Sequence, residues 1–238
     1  MTEAEWLSCT DPQPMLEFLR GKASDRKRRL FACACHRRIW HLLGDAGDLR
    51  KAVELIEQYA DDLAGEQERG AVGQAEQALI GPADRGWESI PWVERATRLA
   101  IDLATWEEHQ TWEDAQVAPR RSASADLLAA RATQDQAEAA YRQAVAAERG
   151  VHCRLLRDIF GLLPFRPVTI PPSSLVWNDG TVVKLAQAIY EGRAFDRLPI
   201  LADALEEAGC HDPDIPAHCR RGEHVRGCWL VDLLLGKE

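Results

Sequence analysis

Apolar residues in the middle of the chain recur at alternating steps of three and four positions. This spacing holds over residues 49–63, 92–106 and 130–151. Such steps place the apolar side chains on one face of an α-helix, and seams of this kind are typical of helices that pack nearly antiparallel. The third seam is mostly alanine, which permits helix backbones to approach closely. The pattern predicts a small helical bundle over residues 46–150.

The flanking regions also show helical patterns. Residues 24–43 carry an apolar stripe on one helix face. Residues 164–180 are rich in proline, which predicts an extended connector because a residue before proline avoids the helical conformation. Residues 151–162 are predicted to complete the third long helix, and further helices are predicted at 181–191 and 198–208, after Asp212, and at 225–235. Because no segment alternates apolar and polar residues as a strand does, we predict an all-α fold.

The last predicted helix, residues 225–235, is apolar almost all the way round. A helix without a polar face belongs at the centre of a core. Asp232 is the one charge within its apolar run, and a buried carboxylate needs a partner. Arg226 and Arg38 are of the right type to provide it. We therefore interpret Asp232 as half of a structural ion pair rather than as a catalytic acid.

Charge divides the chain unevenly. The 238 residues include 29 Lys and Arg against 38 Asp and Glu, which gives a net charge of −9. The acidic surplus lies in residues 51–118, where 15 side chains are acidic and 5 are basic. This asymmetry indicates a region with its own surface character. We expect residues 1–45 and 151–238 to form one helical frame, and residues 46–150 to form a helical insert that is acidic in its first two-thirds.

The sequence also indicates the cellular compartment of the protein. The chain has no run of 18 apolar residues that could span a membrane, and its first residues lack the basic and apolar regions of a signal peptide. These features predict a cytoplasmic protein without membrane association. The seven cysteines are odd in number, which in such a compartment indicates reduced thiols rather than a disulfide framework.

Two sequence blocks carry a resemblance to a known group of proteins. They read TEAEWLSCTDPQPMLEFLRGKASDRKRRLFACACHRRIWHLL near the start and LPILADALEEAGCHDPDIPAHCRRGEHVRGCWLVDLLLGKE at the end. In these blocks the chain resembles a large family of bacterial paralogues to which no activity is assigned. The resemblance covers roughly residues 1–43 and 153–238. It implies a shared frame with an alanine-rich middle that differs between members, and it implies no catalytic residues.

Cysteine and histidine are concentrated near the C terminus. Thiolate and imidazole are ligands that tetrahedral zinc prefers, and a composite site could draw further ligands from the helix at residues 24–43. The candidate ligands are Cys33, His36, Cys210, His218, Cys219 and His224. Their spacing matches no zinc module, Cys228 falls in the apolar last helix, and buried cysteine commonly behaves as a small apolar residue. We expect core packing without a metal or other cofactor, with a metal site as the alternative.

Other site chemistry is weakly indicated. The chain has no glycine-rich phosphate loop and no H-E-x-x-H helix, and we predict that it is not an enzyme. A basic stripe over residues 20–38 could bind phosphates. Few aromatic residues interleave with this stripe, so base stacking is not indicated. We expect the stripe to meet the acidic insert or solvent, and nucleic-acid binding is a further alternative.

An interaction function is the preferred interpretation. Exposed aromatic residues are typical anchors of protein interfaces, and the acidic charge of the insert favours a basic partner protein. We therefore predict a non-enzymatic adaptor or scaffold that binds a protein partner through the acidic, tryptophan-bearing part of its insert. The predicted contact residues are Trp106, Glu107, Glu108, Trp112, Glu113 and Asp114.

Overall fold

The computed structural model describes residues 1–38, 47–61, 69–79 and 124–237. Within these ranges the chain forms ten α-helices and one 3-10 turn, and it contains no β-strand. This confirms the predicted all-α fold. None of the helices in the described ranges is both long enough and apolar enough to cross a lipid bilayer.

The helices fall into an N-terminal group, a long central helix and a C-terminal group. The N-terminal group comprises α1 (Glu3–Ser8), α2 (Pro12–Leu19), α3 (Asp25–Arg38), α4 (Gly47–Ala60) and α5 (Arg69–Leu79). The long helix is α6 (Ser124–Phe160). The C-terminal group comprises α7 (Pro172–Gly192), the 3-10 turn Phe195–Arg197, α8 (Leu198–Glu207), α9 (Asp214–Cys219) and α10 (Trp229–Leu235).

The first two helices begin at side-chain caps. Thr2 and Glu5 form a capping box, in which each side chain accepts a hydrogen bond from the other residue's backbone N–H. Asp11 accepts from the backbone N–H of Gln13 at the start of α2, where Pro12 occupies the first helical position. These helices and α3 pack on the end of α6, in a core that contains Trp6, Phe31 and Leu156 among others.

The final helix is enclosed, as its sequence predicts. Helix α10 packs against α7 and α6 in a core formed by the C-terminal helices. The side chain of Trp229 is only 2% exposed. The helix begins at Trp229 and not at residue 225 as predicted, because residues 225–228 form a tight turn closed by a hydrogen bond from the Cys228 N–H to the Val225 carbonyl. Cys228 therefore precedes the helix.

The alanine seam of α6 differs from the prediction. Ala137 and Val151 are buried, whereas Ala140 and Ala147 are exposed. The residues of α6 that join the core with α1, α2 and α3 begin at Val151. The repeat in the alanine segment thus does not form one continuous buried face, and the division of the chain into a frame and an insert remains a prediction.

The predicted extended connector is also partly wrong. Pro172 begins a helix, because proline fits the first turn, where its missing N–H is not needed. The helix kinks at residues 177–180 and then continues to Gly192. Asn178, Asp179 and Gly180 all have positive φ at this kink, and these are the residue types that enter the left-handed region most readily.

Candidate metal centre

Four side chains from separate parts of the chain converge beside α10. Asp158 lies in the last turns of α6, and His218 lies in the last turn of α9. His224 belongs to the loop that follows, and Cys228 caps the N terminus of α10. One potential ligand atom from each residue lies within 4.8 Å of those from the other three. This constellation joins α6 to both ends of the loop between α9 and α10.

The loop folds back to this point because of its glycines. Gly222 and Gly227 both have positive φ, a conformation that glycine adopts without steric cost. At Gly227 the backbone also lies close to α3, where a Cβ atom would meet Cδ1 of Leu30 at 3.0 Å. Gly227 therefore lets the chain pass between α3 and α10 and brings Cys228 toward the two histidines.

The individual distances describe a compact group of donors and acceptors. Nδ1 of His224 lies 2.6 Å from Oδ1 of Asp158, whose Oδ2 accepts the backbone N–H of Val225 at 2.8 Å. Nε2 of His218 lies 3.1 Å from Sγ of Cys228 and 3.5 Å from Oδ1 of Asp158. In a tetrahedral zinc site with bond lengths of about 2.0–2.3 Å, neighbouring ligand atoms are about 3.3–3.8 Å apart. The two contacts of His218, at 3.1 and 3.5 Å, are close to these separations, and the group as a whole extends to 4.8 Å.

Aromatic packing holds the His218 ring in place. Its centroid is 4.8 Å from that of His224 and 4.9 Å from that of Trp229. Gly161, which follows α6 with φ +55°, lies directly against the Trp229 ring. A Cβ atom at this position would be 2.5 Å from Cδ1 of Trp229. Because Gly161 has no side chain, the Trp229 ring can pack directly against its backbone. The Trp229 ring in turn packs against His218.

Burial sets the protonation of the group. It lowers the pKa of His218 to about 4, although the nearby charge of Asp158 acts in the opposite direction. Burial also raises the pKa of the Cys228 thiol well above its usual value, and Asp158 raises it further. At neutral pH the metal-free group therefore contains a neutral imidazole at His218 and a protonated thiol at Cys228. A bound cation would favour the thiolate and release its proton.

His224 has one ring nitrogen that is not satisfied. Because a carboxylate only accepts hydrogen bonds, Nδ1 of His224 donates to Asp158, and in the neutral imidazole this leaves the lone pair on Nε2. Nε2 is buried and has no hydrogen-bond partner among the described residues. A buried polar atom without a partner costs free energy. His224 also belongs to the group of four residues with ligand atoms within 4.8 Å of one another, and an imidazole with an unsatisfied nitrogen in such a group fits a metal ligand.

The composite site considered from sequence is not formed. Of its candidate ligands, the structure brings His218 and His224 together but leaves four elsewhere. Cys33 packs between α3, α4 and α5, and Nδ1 of His36 lies 3.0 Å from the Ala32 carbonyl of its own helix. Cys210 and Cys219 belong to the C-terminal core. The remaining two members of the group are Asp158 and Cys228.

Sequence reasoning missed these two residues for different reasons. Cys228 was assigned to the apolar helix, whereas it stands at the N-terminal cap, where its side chain is directed toward His218. Asp158 is 60 positions from His218 along the chain, and only the packing of α6 brings the two together. The signal for Asp158 is a carboxylate between the apolar residues Leu156 and Ile159, since such a buried charge needs partners.

The second buried charge cluster is structural. Asp232 is paired with Arg26 at 2.7 Å and with Lys27 at 2.5 Å, and not with Arg226 or Arg38 as expected. The reason is that α3 supplies both cations to α10, while Arg226 lies before α10 and bonds Asp61 with its Nε at 2.7 Å. Asp232 thus has the ion-pair role that its sequence setting predicts, with different partners.

Part of the basic stripe pairs with acidic residues of the segment 46–150. Nε of Arg37 is 2.6 Å from Oε1 of Glu57, and Nε of Arg38 is 2.9 Å from Oε1 of Glu148. Arg26 also contacts Asp61 at 3.0 Å. These pairs agree with the expectation that the stripe meets acidic partners within the chain, and they occupy cations that a phosphate backbone would need.

The predicted partner-binding residues lie outside the described residues. This applies to Trp106, Glu107, Glu108, Trp112, Glu113 and Asp114. Their role in binding a protein partner stays a prediction.

Three of the four converging residues also face a cavity. Asp158, His218 and His224 form part of the wall of a space of about 560 Å³. Its other walls come from α1, the last residue of α3, the end of α6, α9, the loop that follows α9, and Trp229. The candidate metal centre is therefore accessible to a small molecule and is not sealed within the core.

The chain matches no protein-family model. Curated proteins and solved structures likewise give no significant match. The resemblance to the bacterial paralogues stays an expectation, and the functional argument depends on the geometry of the site.

Proposed function

We propose that the protein binds a zinc ion through Asp158, His218, His224 and Cys228. The supporting observation is the convergence of four potential ligand atoms within 4.8 Å from two helices, α6 and α9, and from the loop that leads into α10. A thiol, two imidazoles and a carboxylate form a donor set suited to a borderline-soft divalent cation, and each type occurs in tetrahedral zinc sites. This choice takes up the alternative of the sequence analysis, with a different set of ligands.

The ion would link the long helix α6 to the C-terminal part of the chain. Asp158 lies in the last turns of α6, whereas the other three residues lie within eleven positions near the C terminus. These parts also share the buried pairs of Asp232 with α3. Binding to the native state alone would stabilise it by mass action, by about 2.7 kcal/mol at a free zinc concentration of 100 times Kd.

The test is a zinc titration of the purified full chain after metal removal, read by calorimetry and elemental analysis. We expect one zinc per chain in the wild type, and a loss of affinity of about a hundredfold or more in His218→Gln and Cys228→Ser. Two matched controls, His211→Gln and Cys219→Ala, change neighbouring residues of the same types that lie outside the group. Circular dichroism establishes that each variant is folded.

The outcomes separate clearly. Stoichiometric zinc that is lost in the two ligand variants and retained in the two controls would support the proposal. Absence of stoichiometric zinc in the wild type would overturn it, and so would equal zinc binding by the ligand variants.

The protein-interaction function is a second proposal, supported by the 15 acidic against 5 basic side chains of residues 51–118. Acidic surfaces accelerate association with basic partners in a salt-dependent way. Replacing Glu107, Glu108, Glu113 and Asp114 with their amides is expected to slow association with a basic partner without changing the helix content. An unchanged association rate with that partner would exclude this acidic surface.

A further inference from the structure

The cavity beside the candidate metal centre has the size of a small-molecule site. Its volume of about 560 Å³ falls within the range of about 300–1,000 Å³ that is usual for such sites. Leu155, Leu162 and Trp229 give it an apolar wall. A ligand of moderate size could therefore bury an apolar part there while another part faces Asp158 and the two histidines.

Four arginines line the same cavity, and three of them have no carboxylate partner among the residues that the structure describes. Arg38 is held by Glu148, to which its guanidinium donates two hydrogen bonds. Arg154, Arg157 and Arg221 make no salt bridge within the described part of the chain. Arg157 donates to the backbone carbonyls of Trp6 and Cys9, and these neutral acceptors do not neutralise its positive charge.

The carboxylates of the cavity wall are, by contrast, mostly engaged. Glu3 and Asp214 both contact Arg166, the former at 3.7 Å. Asp158 accepts hydrogen bonds from His224 and Val225. The exposed Glu223 is the wall carboxylate without a salt bridge in the described ranges. The charged groups that remain available to a ligand are thus predominantly guanidinium groups.

Guanidinium groups recognise oxyanions through their fork of N–H donors. We infer that the cavity binds a small organic oxyanion, a phosphate monoester or a carboxylate with an apolar part of about one ring, with the anionic group held by the arginines and facing the metal centre. This inference rests on the proposed zinc site, since the ion would supply a further positive charge at the same wall. Arg154 and Arg221 are the residues to test, because neither has a structural partner among the described side chains.

The experiment measures ligand binding by calorimetry with the full chain, both zinc-loaded and metal-free. The probes are phenyl phosphate and 3-phenylpropionate, which distinguish a phosphate from a carboxylate, and neutral benzyl alcohol. We expect at least one anion to bind the zinc-loaded wild type and benzyl alcohol not to bind. The double variant Arg154→Gln/Arg221→Gln is expected to lose about tenfold or more in anion affinity while its zinc stoichiometry is unchanged. Arg197→Gln, an exposed arginine outside the cavity, is the matched control.

Each result has a defined meaning. Failure of both anions to bind the zinc-loaded protein overturns the inference, as does equal binding by the double variant or by benzyl alcohol. If the wild type takes up no zinc, the zinc proposal fails separately. In that case, arginine-dependent anion binding by the metal-free protein would still support the cavity as an oxyanion site, and its absence would overturn the cavity proposal as well.

Discussion

The carboxylate of Asp158 joins His224 to the long helix, with Oδ1 2.6 Å from the Nδ1 atom of a residue 66 positions later in the chain. The second oxygen accepts the N–H of Val225, so one side chain fixes two consecutive residues of the C-terminal loop. Asp158 therefore orders this loop as well as contributing to the candidate metal centre. Replacing the carboxylate with the isosteric amide should affect the ordering of the loop and the binding of a metal ion differently.

Asp158→Asn is expected to separate these roles. The amide keeps an oxygen that can accept the Val225 N–H, but it loses the negative charge that a cation needs. We expect a decrease in the free energy of unfolding of about 1–3 kcal/mol without metal, because charge-assisted hydrogen bonds are weakened. The stabilisation by added zinc should disappear. Thermal denaturation with and without zinc measures both effects, and a variant that zinc stabilises as much as the wild type would exclude Asp158 as a ligand.

The sequence predicted the fold class and the burial of the last helix because both follow from local patterns. The three-and-four spacing of apolar residues predicts helices, although in α6 it does not mark a continuous buried face, and the apolar character of residues 229–235 predicts that the last helix is enclosed. Neither pattern identifies which other helix packs against a given helix face. Asp232 illustrates this limit, since its need for a cation was predictable whereas its pairing with α3 depends on tertiary packing.

The candidate site was less predictable than the fold. The sequence identifies His218 and His224 as possible ligands. A metal site depends on the distances between its ligands in space, and when ligands are far apart along the chain, their sequence spacing does not predict those distances. Because the chain turns at Gly227, Cys228 lies before the helix and not within it, and its side chain contacts His218. Helix boundaries are the least certain part of a sequence-based prediction, and here one boundary decides whether a thiol faces a core or a site.

Gly161→Ala is expected to destabilise the protein because of both backbone and side-chain effects. Gly161 has φ +55°, which costs an alanine about 1 kcal/mol, and its Cβ atom would overlap the Trp229 ring. We expect a total loss of about 2–4 kcal/mol in the free energy of unfolding. Gly209→Ala is the matched control, since Gly209 has φ +81° but open space at the Cβ position. Equal losses from the two substitutions in chemical denaturation would show that Trp229 is not constrained by Gly161.

Removing the charge of Asp232 should be among the most damaging single changes in the described chain. Its side chain is buried and neutralises Arg26 and Lys27, and Lys27 is itself enclosed, with Nζ 2.7 Å from the Gly227 carbonyl. Asp232→Asn would leave the buried Lys27 without a carboxylate and Arg26 with Asp61 alone, and breaking a buried pair typically costs about 3–5 kcal/mol. Arg220→Gln, which removes exposed pairs with Glu206 and Asp203, should change the stability far less, because solvent screens exposed ion pairs. Similar values for the two variants would contradict the structural role given to Asp232.

The pairing of Glu148 makes stability depend on acid pH. Burial alone would raise the pKa of Glu148, but hydrogen bonds and charges from His152 and Arg38 together lower it from 4.5 to about 2. The unfolded chain therefore binds this proton at a higher pH than the native protein does. The resulting stabilisation is fully present above pH 4.5 and is lost as the pH falls toward 2.

A comparison with Glu148→Gln isolates this contribution from other carboxylates that titrate in the same direction. Because the Arg38 side chain is 38% exposed, solvent screening limits the expected contribution to about 1–3 kcal/mol. The wild type should be more stable than the variant by this amount at pH 6, and the difference should shrink steadily between pH 5 and pH 2. Urea denaturation of both proteins at several pH values measures the difference. A difference that stays constant over this range would show that Glu148 is not held in its charged form by Arg38 and His152.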